Sequence, residues 1–157
     1  MSATAEKIEV GAKAPHLTVT IETGDILKLD SLYDKGYVLI YFYPKADTPG
    51  CTAQACSLRD AFVELEKKGV TVLGASSDGV ADQLAFKKKY RLPFHLVSDT
   101  KGELAQALEV PMQGTYMSRQ AFLFSQGKLI WLDRKASTKE QAQDVLNVLA
   151  GKAAPNH

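Results

Sequence analysis

The sequence predicts an α/β protein in which helices flank a mixed central sheet. Strand-like and helix-like segments alternate along the 157 residues, and residues 37–43 form one continuous apolar run, YVLIYFY. A run of β-branched and aromatic residues without alternation is typical of a strand that is buried on both faces. The composition, 45% hydrophobic and 24% charged, predicts one globular domain over residues 1–157.

The first half of the chain is predicted to form a βαβ unit. Its predicted elements are, in order, a weak strand at 27–29, the central strand at 37–43, a helix from Thr48 to Gly69 and a strand at 70–75. Leu58, Phe62 and Leu65 recur at helical spacing, and Gly69 is a typical residue at which a helix ends. The central strand therefore leads directly into a long helix.

The second half is predicted to add one further helix and then a ββα unit. Ser77 or Asp78 is expected to cap a helix that runs to Tyr90. The elements that follow are a short strand at 94–97, a short helix at 101–108, strands at 121–124 and 129–132 around a turn, and an amphipathic helix at 138–149. This order predicts a thioredoxin-like fold, although a fold alone does not fix a reaction.

Charge and targeting patterns exclude several classes of function. Lys and Arg total 19 against 18 Asp and Glu, so the net charge of +1 gives no electrostatic basis for a nucleic acid or membrane partner. No basic segment followed by an apolar run opens the chain, and no stretch reaches the roughly eighteen apolar residues of a membrane span. We therefore expect a cytoplasmic protein that acts on a small or mobile partner.

The chain contains two cysteines, Cys51 and Cys56, which is too few for the disulfide framework of a small secreted domain. Two incidental thiols in a packed helix are the simplest interpretation of such a pair. The context of Cys51 favours chemistry instead, because Thr48 can be the N-cap, Pro49 then occupies the first helical position, and Cys51 falls in the first turn. Unpaired N–H groups and the helix dipole favour a thiolate there.

The segment PKADTPGCTAQAC, which joins the central strand to the helix, carries a family resemblance. Pro44, Thr48 and Cys51 match the Pro-x-x-x-Thr/Ser-x-x-Cys signature of the peroxiredoxins. The sequence TPGCT with a cysteine five residues later is similar to their bacterioferritin-comigratory, or peroxiredoxin Q, subfamily. GASSD at 74–78 and the Arg-x-x-Phe-Leu pattern at 119–123 occur in the family's order, so the resemblance covers most of the chain.

This resemblance implies a thiol peroxidase and a role for each matching residue. Cys51 would be the peroxidatic thiolate that attacks a peroxide and becomes a sulfenic acid. Thr48 would hydrogen-bond the peroxide, Pro44 would shield the thiolate from bulk water, and Arg119 would supply positive charge. Donors aimed at the charge that develops on the leaving oxygen lower the barrier. Each residue also has a simpler alternative: Thr48 as only an N-cap, Pro44 as only a strand terminator and Arg119 as only a solvated residue at the edge of a strand.

The resemblance also implies that Cys56 resolves the sulfenic acid by forming an intramolecular disulfide with Cys51. Thioredoxin or a similar dithiol protein would then reduce this disulfide. Helix geometry adds a condition, because five residues place the two Cα atoms about 8.5 to 9 Å apart, whereas a disulfide needs less than about 7 Å. The first turns of the helix would therefore unwind on oxidation. The alternative is an incidental thiol in a one-cysteine enzyme.

No cofactor or metal motif is found in the sequence. The three histidines, His16, His95 and His157, are isolated and far from the cysteines, so neither a zinc site nor another cofactor is expected. Three alternatives stay open: a dyad of Cys51 and His95, a thioredoxin-type oxidoreductase, although that class uses Cys-x-x-Cys, and a redox switch or holdase that signals to a partner protein.

The substrates expected from the resemblance are hydrogen peroxide and alkyl hydroperoxides. Residues 109–116 are expected to line the rim of the site. The chain ends at His157 without a cysteine-bearing C-terminal arm, so a disulfide between subunits is not expected. We therefore expect a monomer.

Overall fold

The structure, a computed structural model that describes residues 8–151, alternates strands and helices in the predicted order. Its elements are β1 (Thr18–Thr20), β2 (Ile26–Lys28), α1 (Asp30–Tyr33), β3 (Tyr37–Phe42), α2 (Pro49–Asp60), α3 (Phe62–Lys67), β4 (Val70–Ser76), α4 (Val80–Tyr90), β5 (His95–Ser98), α5 (Glu103–Ala107), β6 (Met112–Gln113), β7 (Tyr116–Met117), β8 (Gln120–Ser125), β9 (Lys128–Asp133) and α6 (Gln141–Leu149). The expectations for the first residues of the chain and for His157 lie outside the described residues.

Five strands form the central sheet, in the order β5-β4-β3-β8-β9. Strands β3, β4 and β5 are parallel, whereas β8 runs antiparallel to β3, and β9 runs antiparallel to β8. Two small antiparallel pairs, β1 with β2 and β6 with β7, lie outside this sheet. The predicted mixed sheet is therefore confirmed, with β3 at its centre.

Strand β3 is buried on both faces, as its continuous apolar sequence predicts. Leu39 and Tyr41 pack on one face with apolar residues of α2, α4 and α6, and Val38 and Ile40 pack on the other with residues of α1 and α5. Successive side chains of a strand point to opposite faces, so one strand serves both clusters. Cys51 belongs to the first cluster, which places it on the α2 face of the sheet.

The helix predicted from Thr48 to Gly69 is two helices, α2 and α3, which are separated at Ala61. Alanine is the best helix former, so no local feature of the sequence marks this break. The structure also contains β1, α1 and the hairpin of β6 and β7, which were not predicted. None of the helices within residues 8–151 is long and apolar enough to cross a membrane.

The prediction that Ser77 or Asp78 caps α4 is wrong, because Gly79 occupies the N-cap position. The Asp78 carboxylate instead accepts the N–H of Ala46 at 2.7 Å, and the Ser77 hydroxyl donates to a carbonyl of the β6–β7 turn. Both side chains therefore hold loops at one edge of the sheet.

Candidate active site

The predicted site residues meet where β3 ends and β8 begins. Phe42 pairs with Gln120 in the antiparallel register, so the residues that follow β3 and those that precede β8 leave the sheet at the same edge. Residues 44–48 run from this edge into α2, and Arg119 directly precedes β8. The topology thus brings Arg119 to Cys51 across 68 residues of chain.

Cys51 lies in the first turn of α2, as predicted. Thr48 is the N-cap with extended backbone, Pro49 is the first helical residue, and Cys51 is the third, with 1% of its surface exposed. Thr52 donates its N–H to the Thr48 carbonyl at 2.8 Å. Helix geometry leaves the N–H groups of Gly50 and Cys51 without partners in the helix. The sulfur therefore lies at the positive end of the helix dipole.

The Arg119 guanidinium is the positively charged group beside this sulfur. Its Nη2 lies 3.6 Å from Cys51 Sγ, and its Nη1 donates to Gln54 Oε1 at 2.7 Å. Gly50 permits this close approach, because a Cβ at that position would lie 2.9 Å from Nη2. An adjacent cation and fixed donors favour a negative charge on the sulfur. The alternative of a merely solvated Arg119 is therefore wrong.

Thr48 occupies the N-cap position, but its hydroxyl makes no side-chain cap. The hydroxyl donates instead to the carbonyl of Lys45 at 2.8 Å. A hydroxyl has one proton and two acceptor lone pairs, so this bond leaves the oxygen able to accept from a second molecule. Capping by the side chain therefore does not account for Thr48.

Pro44 follows β3 and is half-buried. It lines a groove of about 420 Å³ whose other walls come from the β6–β7 hairpin and the residues directly before and after it: Pro111, Gln113, Tyr116, Met117 and Ser118. Tyr116 is half exposed there. Residues from the segment 109–116, which was expected to line the rim of the site, therefore lie beside Pro44.

The loop that leads into α2 is held to α4 by side-chain bonds that were not predicted. Asp47 adopts a left-handed backbone conformation with φ of 60°, and its carboxylate accepts from Lys89 Nζ at 2.8 Å and from the Tyr90 hydroxyl at 2.7 Å. These two hydrogen bonds hold the pKa of the Asp47 carboxyl below its usual value. Together with the bond from Ala46 to Asp78, they fix the loop before Thr48.

Cys56 lies on the same helix as Cys51, and both thiols are free. Helix α2 continues without interruption from Pro49 to Asp60, so the helical separation expected from the sequence applies to the two cysteines. The later part of α2 is fastened to its neighbours, since Arg59 Nη1 donates to the Tyr90 carbonyl at 2.9 Å. Cys56 itself is partly exposed.

Tyr41 lies beneath α2 and is a further residue of this region that was not predicted. Its side chain is fully buried, and its hydroxyl has no hydrogen-bond partner among residues 8–151. Burial, together with negative charge on Tyr43, Cys51 and Cys56, raises the pKa of Tyr41 well above its usual value. An unpaired polar group thus lies within the electrostatic reach of both cysteines.

Neither His16 nor His95, the two histidines within residues 8–151, lies beside Cys51. His16 Nδ1 lies 2.9 Å from Asp30, and His95 Nδ1 lies 3.0 Å from Glu22. His95 begins β5, an edge strand that is separated from β3 by β4. The alternative of a dyad between Cys51 and His95 is therefore wrong.

Two buried glutamines complete the site and were also not predicted. Gln54 accepts from Arg119, and its Nε2 donates to Gln141 Oε1 at 2.7 Å. Gln54 follows Cys51 by three residues and therefore lies on the same helix face, so its polar side chain could have been predicted to lie near the sulfur. Gln141 lies on α6, and nothing local in its sequence distinguishes it from a solvated residue.

The fold and this site define a class of protein: a thioredoxin-like domain with a buried cysteine at the start of the helix after the central strand, and an arginine beside its sulfur. The chain belongs to the AhpC/TSA family, whose model matches residues 10–132.

Similar proteins of known family and similar solved structures support this membership. Peroxiredoxin Bcp of Bacillus subtilis is 36% identical over 150 residues, which cover 90% of this chain and 95% of the relative. The bcp protein of Coxiella burnetii is 54% identical over 92 residues, which cover 59% of this chain. The chain spans 60% of the length of that relative and 58% of the length of the chloroplastic peroxiredoxin Q of rice.

A solved structure, the bacterioferritin comigratory protein of Xanthomonas campestris, superposes with a TM-score of 0.83. Its sequence is 28% identical, and the superposition covers 91% of this chain and 98% of that chain. The predicted resemblance to the peroxiredoxins and the predicted thioredoxin-like fold are thereby confirmed.

Proposed function

We propose that this protein is a thiol-dependent peroxidase that reduces hydrogen peroxide and organic hydroperoxides, with Cys51 as the nucleophile. The observation that carries the proposal is the distance of 3.6 Å between Cys51 Sγ and Arg119 Nη2 at the start of α2. Peroxide cleavage requires a thiolate and fixed positive groups near the oxygen that leaves. This contact places the sulfur and a fixed positive group at one point, and membership of the AhpC/TSA family supports the same activity.

In the first step, the Cys51 thiolate attacks the terminal oxygen of a peroxide ROOH. An S–O bond forms while the O–O bond breaks, the sulfur is oxidised to a sulfenic acid, and RO⁻ leaves and takes up a proton. Arg119 and the amide N–H of Cys51 face the negative charge in this step. Thr48, whose own proton is bonded to Lys45, would accept a hydrogen bond from the O–H of the peroxide.

The groove beside Pro44 supports organic hydroperoxides as substrates. Pro44, Pro111 and Tyr116 give its wall apolar surface, and its volume of about 420 Å³ accommodates a small alkyl chain. The Xanthomonas campestris protein is described as having alkyl peroxide reduction activity. We infer that alkyl hydroperoxides enter along this groove, while Pro44 limits the access of bulk water to the thiolate.

In the second step, Cys56 would condense with the Cys51 sulfenic acid, so that a disulfide forms and water leaves. Because α2 is continuous, its first turns must unwind before the two sulfurs can meet. Contacts on both sides limit this motion. Asp47 holds the preceding loop to α4, and Arg59 holds the later part of the helix to Tyr90. The segment between these anchors can open while the sheet stays folded.

A dithiol protein such as thioredoxin would then return Cys51 and Cys56 to thiols by disulfide exchange and become oxidised itself. Two free cysteines suit a reducing compartment such as the cytoplasm. All groups assigned to the reaction come from one chain, so a monomer suffices, and none of the steps requires a cofactor.

Turnover kinetics test this proposal against a redox switch. With thioredoxin, thioredoxin reductase and NADPH, the reduced protein should consume many equivalents of hydrogen peroxide, and Cys51→Ser should consume none above background. Consumption that stops after about one equivalent in the presence of this reducing system would contradict a peroxidase and favour the switch.

A further inference from the structure

We propose that Gln141 is a positioning residue of the active site, which orients the Arg119 guanidinium through Gln54. Gln141 is the first residue of α6, far from the cysteine motif in sequence. The proposal rests on the thiol peroxidase function proposed above, because it gives Gln141 a part in the reaction of Cys51 with peroxide.

Three contacts, one buried and two partly buried, connect α6 to the sulfur. Gln54 Nε2 donates to Gln141 Oε1 at 2.7 Å, Arg119 Nη1 donates to Gln54 Oε1 at 2.7 Å, and Arg119 Nη2 lies 3.6 Å from Cys51 Sγ. Both glutamines have 0% of their surface exposed. Water therefore does not compete for the bond between the two glutamines, and each amide depends on its protein partner.

The chemistry of Arg119 fixes the orientation of both amides. A guanidinium has only donors, so Gln54 must turn its oxygen towards Arg119. The Gln54 amide nitrogen then faces Gln141, which must present its own oxygen. The result is a directed series of hydrogen bonds, in which the orientation of each amide depends on that of its neighbour. If Gln54 reversed its amide, N–H groups would face N–H groups, and the guanidinium would lose its partner.

The unpaired end of this series supports a role in positioning. Gln141 Nε2 is buried and has no hydrogen-bond partner within the described range 8–151. A buried donor without a partner is unfavourable, and such a group in a native protein calls for an explanation. The directed series of hydrogen bonds explains this unpaired donor. The Gln141 oxygen must face Gln54, and the nitrogen of the same amide must then point away from Gln54.

Loss of the Gln141 oxygen should therefore misplace the guanidinium without unfolding the site. Gln54 would lose the bond that fixes its amide, and Arg119 would lose its fixed acceptor. Catalytic donors act only when they are aimed at the position where charge develops, so a small displacement lowers the rate. Helix α6 keeps a second tie to α2, because the N–H of Ala142 donates to Ser57 Oγ at 3.2 Å.

The test uses Cys56→Ser as the parent, so that Cys51 is the only cysteine, and compares Gln141→Leu, Gln141→Glu and Gln143→Leu in it. Gln143 is the matched control, since it lies on the same helix, is exposed and bonds only Asn147 among the contacts described for residues 8–151. Two rate constants of Cys51 are measured: oxidation by hydrogen peroxide and alkylation by iodoacetamide. Alkylation reports the accessibility and the ionisation of the thiol without the donors that bind peroxide, and the start of α2 favours the thiolate in every variant.

Gln141→Leu should slow oxidation by about tenfold, less than the loss of a direct donor costs, and should change alkylation by less than about twofold. Gln141→Glu keeps an acceptor oxygen and should recover most of the rate, and Gln143→Leu should match the parent. If Gln141→Leu does not fold, Gln141→Asn, whose oxygen cannot reach Gln54, should show the same selective loss.

Equal oxidation rates in Gln141→Leu and Gln143→Leu would overturn the assignment of Gln141. A parallel fall in oxidation and alkylation would also overturn it, because a general structural defect would then explain the loss. A parent protein that reacts with peroxide no faster than free cysteine would instead overturn the peroxidase function, and with it this proposal.

Discussion

Arg119 Nη2 lies 3.6 Å from Cys51 Sγ, although 68 residues separate these two residues in the chain. The antiparallel pairing of β3 with β8 brings them together, because Phe42 pairs with Gln120 and Arg119 therefore stands where α2 begins. The start of α2 and the guanidinium both favour negative charge at this point. In the proposed reaction, the same cation would face the sulfur before the attack and the departing oxygen during it.

Arg119→Lys should lower the rate constant of Cys51 with hydrogen peroxide by about a hundredfold. A lysine ammonium lacks the planar fork that lets Arg119 contact Gln54 and the sulfur together. Stopped-flow oxidation of the reduced protein measures the effect, and Arg91→Lys at an exposed site provides the control. A rate in Arg119→Lys equal to that of the control would show that the contact plays no part in peroxide cleavage.

Gly50→Ala should separate activity from stability. The added methyl group would lie 2.9 Å from Arg119 Nη2, so the flexible guanidinium would move away from Cys51. The rate of peroxide oxidation should fall by about tenfold, while alanine in a helix should keep or raise the thermal midpoint. Gly79→Ala is the matched control, because a Cβ there meets nothing within 4 Å. An unchanged rate in Gly50→Ala would refute the claim that this position sets the approach of Arg119.

Tyr41→Phe should stabilise the reduced protein by about 1 kcal/mol, because it removes a buried hydroxyl without a partner. A more stable α2 should also slow disulfide formation between Cys51 and Cys56 after oxidation. Denaturant unfolding and rapid-quench analysis measure the two effects.

Tyr43→Phe is the control for Tyr41→Phe, because it removes a buried hydroxyl that does have a partner. The Tyr43 hydroxyl donates to Gln83 Oε1 at 2.6 Å, so its removal should destabilise the protein by about 1–3 kcal/mol. If Tyr41→Phe destabilises the protein to the same extent as Tyr43→Phe, the Tyr41 hydroxyl has a partner in solution and the expectation for Tyr41 is wrong.

Glu22 should make the fold sensitive to acid. Burial opposes its ionisation, but the N–H of Leu96, His95 and the charge of Lys87 outweigh this effect and lower the pKa of Glu22 below its usual value of 4.5. The stabilising contribution of the carboxylate is therefore complete above the unfolded pKa and is lost as the pH falls through the lower folded pKa. The free energy of unfolding should decrease below about pH 4.5.

Glu22→Gln should flatten this part of the pH profile, because the amide does not titrate. Urea unfolding of both proteins between neutral and acid pH measures the difference. Profiles that stay parallel throughout this range would show that Glu22 does not carry the acid sensitivity.

Local sequence predicts some parts of this site well. The continuous apolar run at residues 37–43 predicts a strand that is buried on both faces. Thr48 and Pro49 mark the start of a helix. The location of Cys51 therefore follows from neighbouring residues alone. The contact of Arg119 with Cys51 depends on the register of β8 against β3, which no local pattern fixes. From the sequence, only the family resemblance indicates this residue.

Other parts depend on tertiary contacts that the sequence does not express. Asp78 has the usual character of an N-cap, but the N–H of Ala46 and the hydroxyl of Ser76 compete for its carboxylate in the folded chain. Gln141 looks like a solvated residue of an amphipathic helix, yet α6 packs its first turn onto α2 and buries it. In both cases, the partner lies on another element.

The intact mass of the reduced protein after one equivalent of hydrogen peroxide tests the central claim most directly, in the wild type and in the two single-cysteine variants. The wild type should lose the mass of two hydrogen atoms as the disulfide forms, Cys56→Ser should gain one oxygen atom on Cys51, and Cys51→Ser should keep its mass. Rapid gain of an oxygen atom by Cys51→Ser, or equal oxidation of the two variants, would contradict the assignment of Cys51 as the nucleophile and Cys56 as the resolving thiol.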